Sequence, residues 1–462
     1  MNMKYTFLIV ILSLITFSSC EVLDVEPSNL IMDEDAIVDL KSLQFAVNGA
    51  YNQLQSTPFA EDGIIFGDLA ADNWIHVGSK KEYAQIDNNQ LLATNIYVEG
   101  IWNSCYDEIN IVNNILDKLE ALDNVEEVDK NYYKGQCLFL RGLSYSVLVK
   151  YFGGVPLRLE PTKSTDQASL NIARASVLET YNQILSDLED AELLLSESGY
   201  NRNPSFADVY AVKALMARVY LYMSEFEDHW QDAADKANEV IESHNFSLED
   251  STSYGDIFDE SSVSKEIIFQ IDFKNDDDNN AIADWTNANG SRIEVQAWDS
   301  KEKESSIYDV FESNDYRLDA TVIEASGNYY SEKYGDLTEG KDNVILFRLA
   351  EMYLIRAEAL NEISYVVNGD AFDMLSAITK RAGLGAISAA SYPTSNAFRL
   401  AVEQQRRLEL AFEGHRFFDL RRTGRIDDIL PSTGNMDDNN WLFPIPQSEI
   451  DTNELIEQNG NY

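Results

Sequence analysis

The chain has 462 residues, 45% of them hydrophobic, with 79 acidic side chains against 35 basic ones and a formal net charge of −44. That balance excludes nucleic acid as a partner, since phosphates would be repelled and no basic stripe appears, and it opposes peripheral binding to anionic lipid heads. The length is ample for a large core, and the acidic surface suits neutral or cationic ligands.

The first element is an export signal. Met1 to Lys4 is a basic start, Phe7 to Ile15 is apolar except for Ser13, and Phe17-Ser18-Ser19-Cys20 sets small residues before a cysteine. The apolar run falls short of the ~20 residues that span a bilayer and has the length of a signal core. With cysteine at the cleavage point, residues 1–19 read as a bacterial lipoprotein signal, and acyl chains on Cys20 anchor the mature chain to a membrane outside the cytoplasm. Only Cys105 and Cys137 remain, too few for a disulfide framework, and both are expected to be buried as small apolar residues rather than paired.

From Asp33 to about Asn245 the pattern is helical. Ile109, Val112, Ile115, Leu116 and Leu119 recur at helical spacing, and Tyr132 to Tyr151 predicts a long helix stopped by Gly153-Gly154 and Pro156. Ser176-Val177-Leu178-Glu179 is a capping box, and Asn203-Pro204-Ser205 marks the start of the next helix. Ala207, Ala211, Ala214 and Ala217, then Ala233, Ala234 and Ala237, put small residues where two helices approach closely, as in tetratricopeptide-type pairs. Between Phe246 and Lys341 the texture changes: Ile267, Phe269, Ile271 and Phe273 alternate as in a strand, followed by an acidic Asn-rich loop and irregular sequence. Helices are expected again over Val344 to Leu360, Ala371 to Arg381 and Ala397 to Glu413, before a loop-like tail.

Four segments, taken in order, resemble one family. They are Tyr151-Phe152-Gly153-Gly154-Val155-Pro156-Leu157, the helix from Phe347 to Leu360 reading FRLAEMYLIRAEAL, the run from Arg406 to Arg422 reading RRLELAFEGHRFFDLRR, and Phe443 to Ile450. Together with the lipoprotein signal they are similar to the SusD/RagB-like outer-membrane lipoproteins of Bacteroidetes. Gln405, Thr379-Lys380-Arg381 and Gly460-Asn461-Tyr462 depart from the family pattern at scaffold positions. The resemblance implies a mainly α fold of tetratricopeptide-like hairpins supporting a loop-rich ligand region with a few short strands. It divides the chain into a signal (1–19), a helical region (20–245) and a C-terminal region (246–462) with ligand loops over 246–342 and helices over 343–425. It further implies a cell-surface protein that takes an oligosaccharide, or in some branches a peptide, to a SusC-like TonB-dependent outer-membrane transporter, without catalysis.

The charged run Arg406, Arg407, Glu409, Glu413, Arg416 and Asp419 could be taken for an acid/base site. Glu409 and Glu413 lie four apart on one helix face, however, whereas glycosidase carboxylates flank the bond from opposite sides. Arginine–carboxylate pairing between helices is the reading adopted, and a surface glycoside hydrolase with an α/α toroid is the rival from another class. No histidine has metal-ligand spacing, and Asp276-Asp277-Asp278 lacks the glycine and glutamate of an EF-hand, so neither metal nor cofactor is expected. Sugar rings pack their C–H faces on aromatic rings while their hydroxyls bond polar side chains. Two stretches offer both: Asp72, Asn73, Trp74 and Tyr83 in one, and Trp285, Asn287, Arg292 and Trp298 in the other. These are the candidate ligand residues, in the loop regions that hold ligand in relatives. Trp102 and Trp230 follow helical spacing and are expected in the core.

Overall fold

The computed structural model describes residues 36–460 and 462, apart from 165, 167–169, 198, 260–263, 274–278, 291, 296–305 and 431–440. Cys20, the signal over 1–19, the Asp276-Asp277-Asp278 loop and Trp298 therefore lie outside the described residues.

Helix α1 (Leu40–Leu54) opens on Asp39, whose carboxylate accepts the Ser42 backbone N–H while the Ser42 hydroxyl reaches back to the backbone of Asp39. A single π turn, Pro58–Asp62, leads into α2 (Gly63–Leu69), β1 (Trp74–His76) and α3 (Lys81–Asp87). Then come the two longest helices, α4 (Ile96–Leu119) and α5 (Glu127–Phe152). Gly153, at φ 75°, ends α5 in the left-handed region that a side chain would resist. Arg174 then donates to the carbonyls of Phe152 and Gly154, filling acceptors that a helix end leaves open.

The capping box predicted at Ser176 and Glu179 starts α6 (Val177–Ser196). Helix α7 (Val209–Met223) starts later than expected, because Asp208 rather than the Asn203-Pro204-Ser205 turn accepts its first N–H groups. It packs on α8 (Trp230–Ile241), and the seven alanines named above are all buried. Successive helices pack in pairs from α4 to α8, the hairpin architecture expected.

Irregular chain follows, with one-turn helices and strands β2 (Ile267–Ile271), β3 (Ile293–Val295), β4 (Val322–Ala325), β5 (Asn328–Ser331) and β6 (Val344–Arg348). Each pairs in an antiparallel two-stranded ladder: β1 with β3, β2 with β6, β4 with β5. Strand β2 is buried along its whole length, with β6 paired along its edge and α7 packed against it. Val344 to Arg348 is therefore a strand, where helix was expected, and α9 (Leu349–Ile363) begins only after it. Next come α10 (Asp370–Arg381), α11 (Ser395–Glu409), α12 (Arg416–Arg422) and α13 (Gln447–Thr452).

One hydrophobic cluster runs from α1 to the tail residues Phe443, Ile445 and Ile456, and a smaller one lies under α9, α10 and α11. The tail is fastened to the end of α5: Phe443 N–H donates to Tyr151, and the Asn459 amide donates to Phe152 and Phe443. Cys105 and Cys137 are buried free thiols, Trp102 is buried, and Trp230 packs partly buried against the core. No helix among the described residues is long and apolar enough to cross a membrane.

Candidate functional site

The two stretches singled out as ligand-binding meet in space. Strands β1 and β3 pair Trp74 with Val295, Ile75 with Glu294 and His76 with Ile293. Beyond the ladder, the N–H groups of Val77 and Gly78 both donate to the Arg292 carbonyl, at 3.0 and 3.2 Å, and Arg292 N–H donates to the Trp285 carbonyl at 3.1 Å. This edge fixes the Trp285 indole flat against Tyr83, with centroids 4.3 Å apart and planes 5° from parallel. Tyr97, near the start of α4, meets Tyr83 edge-on at 4.8 Å. Two cations lie over the indole: Lys80 Nζ is 4.4 Å from its centroid and the Arg292 guanidinium 4.8 Å. Lys80 also bonds the Tyr97 hydroxyl.

Beneath the stack the site is acidic and buried. The Tyr83 hydroxyl donates to Asp62 at 2.5 Å, and Glu61 accepts the Ala281 N–H at 3.0 Å. Burial pushes the carboxyls of both Asp62 and Glu61 up to about 7, against the pull of those hydrogen bonds. Burial likewise lowers His76, opposed by Asp87, whose carboxylate accepts the His76 backbone N–H.

The candidate residues divide sharply. Trp74 is 1% exposed and stacks on Phe412 at 4.6 Å and 10°, so it offers no ring face to a ligand. Asp72 is buried between Arg416, at 2.7 Å, and Arg407, at 2.9 Å; burial alone would raise it, but the two guanidiniums hold it well below the usual carboxylate range. The Asn73 amide donates to Asp68 and accepts from Arg407. Asp68 in turn accepts the N–H groups of Phe412 and Gly414, where Gly67 and Gly414 approach so closely that a Cβ on Gly67 would stand 2.4 Å from the Gly414 oxygen. These three residues are framework, contrary to the ligand role expected of them. Tyr83 is buried too, as the back wall of the stack. Trp285 is 7% exposed, Asn287 is partly exposed in a turn where it accepts the Asn289 N–H, and Arg292 is exposed. The accessible edge therefore consists of Asn287, Arg292 and Lys80, with the Trp285 indole nearly covered between Tyr83 and the two cations. Sequence reasoning missed Lys80 and Tyr97; the signal was the Asn95 N-cap, which places Tyr97 at a helix start.

The charged run is a buried lattice. Glu409 receives Arg317 at 3.1 Å, Arg348 at 2.6 Å and Arg381; Glu413 receives Lys333 and Arg348, each at 2.7 Å. Arg406 and Arg422 both bond Asp419 at 2.9 Å. Burial would raise Glu409, but Arg381, Arg348 and Arg317 outweigh it and keep it ionised far below its ordinary range. A carboxylate so held neither takes nor gives a proton near neutral pH. The departures from the family pattern sit here as well: Gln405 accepts from Arg317, and Arg381 bridges Glu266 and Glu409. Among the described residues no group of three His, Cys, Asp or Glu is placed to hold a metal ion.

Residues 21–221 match the profile of a SusD-like family described as starch-binding and associating with the outer membrane, and residues 330–440 match that of the SusD family. SusD-like protein P2 of Formosa agariphila is 27% identical, with 99% of each chain covered. Among solved structures, a laminarin-binding SusD-like protein superposes with a TM-score of 0.75 at 22% identity, over 92% of this chain and 100% of its own. Surface glycan-binding protein A of Bacteroides fluxus gives 0.77 at 22% identity, with the same coverage. Profiles at both ends, a relative matched along its whole length and a shared fold agree with the motifs in the sequence: the chain belongs to the SusD/RagB family.

Proposed function

We propose that this protein is a lipid-anchored, non-catalytic binder at the outer-membrane surface, which captures a nutrient oligosaccharide and passes it to a SusC-like TonB-dependent transporter. The observation that carries the reading is the Tyr83–Trp285 stack at the β1–β3 edge, with Arg292, Lys80 and Asn287 around it. A sugar docks at the rim of that stack, where its hydroxyls bond the two cations and the amide that cover it. The starch-binding description of the family and the laminarin bound by a structural neighbour support a glucan as the ligand class.

Calorimetry of the mature chain against maltooligosaccharides, laminarin oligosaccharides and a peptide panel tests the proposal. Heat with a glucan and no new reducing ends supports it. Heat with peptides alone reassigns the ligand class, and accumulating reducing ends would make the protein an enzyme. Loss of membrane association in a Cys20→Ala variant tests the anchor.

A further inference from the structure

Helix α1 carries a stripe of carboxamides on its outer face. Asn48 and Asn52 are exposed and one turn apart, a spacing that sets side chains about 5–6 Å from each other, and Gln55 follows on the same stripe. They form one wall of a cleft of about 260 Å³. The other wall is the end of β2, where Gln270 and Asp272, two residues apart, come to one side of the chain. Hydrogen bonds hold the walls in place. Gln55 Nε2 donates to the Asp272 carbonyl and joins α1 to the strand. The Gln270 N–H donates to the Pro204 carbonyl at 2.9 Å, and the Ser205 hydroxyl donates to the Asp272 carboxylate at 3.2 Å. The Tyr51 hydroxyl accepts the Ala207 N–H at 2.9 Å, and its ring meets Phe206 edge-on at 4.8 Å to complete an apolar side. Between these ties, amides stay open. Gln270 is 6% exposed, yet its side-chain amide has no hydrogen-bond partner among the described residues, and neither do those of Asn48 and Asn52. A ligand in the cleft would complete an amide that the fold buries unsatisfied.

We propose that this cleft is a second glycan subsite, which takes a neutral sugar unit: the ring packs against Phe206, and adjacent hydroxyls bond the Asn48, Asn52 and Gln270 amides. A hydroxyl donates and accepts through one oxygen, so neighbouring hydroxyls match carboxamides, which present both functions. The lining has no Lys, Arg or His to receive a uronic or sulfated unit, and the Asp272 carboxylate repels one. The inference rests on the glycan-binding reading above, but the cleft shares no lining residue with the β1–β3 edge.

The test is calorimetry of the mature chain with maltotriose, laminaritriose and a tetraalanine peptide. Lys80→Ala with Arg292→Ala disables the β1–β3 edge, and this variant is expected still to bind one trisaccharide per chain. Adding Asn48→Ala and Asn52→Ala should weaken that remaining binding by about tenfold or more, the value of two neutral hydrogen bonds. Because Asn48 and Asn52 are exposed, melting curves are expected to stay in place. Loss of all trisaccharide binding in the Lys80/Arg292 variant overturns the inference and leaves the reading of the edge standing. Unchanged affinity on adding the two Asn substitutions overturns it as well, and so does a cleft that takes tetraalanine in place of the sugars. No heat from either trisaccharide with the parent chain would overturn the inference and the reading of the edge together.

Discussion

Trp74 and Trp285 sit at opposite ends of one small ladder and each lies flat on an aromatic ring, with opposite outcomes. Trp74 lies flat on Phe412 above a lattice in which each guanidinium is answered by a buried carboxylate: Asp72 by Arg407 and Arg416, Glu409 by three arginines. Trp285 lies flat on Tyr83, but the cations over it, Lys80 and Arg292, have no carboxylate ion pair among the described residues, and Arg292 is exposed. Whether its cations are neutralised decides what an aromatic–arginine cluster does. Neutralised inside, it sets the shape; left open at the edge, it keeps donors free for a ligand.

The comparison breaks most severely at its interior end. Arg348→Met leaves Glu266, Glu409 and Glu413 short of a counter-charge in the interior, and denaturant unfolding should show a loss of about 3–5 kcal/mol. Trp74→Ala opens a cavity beside Phe412 and should cost about 3–5 kcal/mol by the same measurement, yet the folded fraction should bind glycan as the parent does.

Asp62→Asn probes the floor of the edge. A carboxyl raised to about 7 in the folded state stabilises it below the unfolded value near 4 and loses that contribution as pH rises through about 7. Melting temperatures of the parent should thus fall between about pH 4 and 7 relative to the Asn variant, whose profile should be flatter there. At the edge itself, Trp285→Ala should weaken glycan binding by about 1–3 kcal/mol. Arg292→Ala should weaken it by about 0.5–1.5 kcal/mol while leaving the melting curve in place, since its side chain is exposed.

The helical part of this fold was legible because its signals are local. Ser176 with Glu179, and Gly153 after an apolar-periodic run, mark helix ends by chemistry within a few residues. Val344 to Arg348 misled because a short apolar run suits helix and strand alike, and its partner β2 lies far away in sequence. The site was half legible for the same reason. Trp74 and Trp285 look alike along the chain, an aromatic among Asp, Asn and Arg. Only Phe412, far off in sequence and held in place by Asp68, decides that Trp74 is covered. Lys80 escaped notice because nothing local places a lysine over a distant indole.

A crystal structure of the mature protein with a bound glucan oligosaccharide tests the account most directly. The account predicts a sugar at the rim of the Tyr83–Trp285 stack, with hydroxyls bonded to Arg292, Lys80 or Asn287, and an ionic lattice around Glu409 unchanged. A glucan seated elsewhere, with that edge empty, would contradict it.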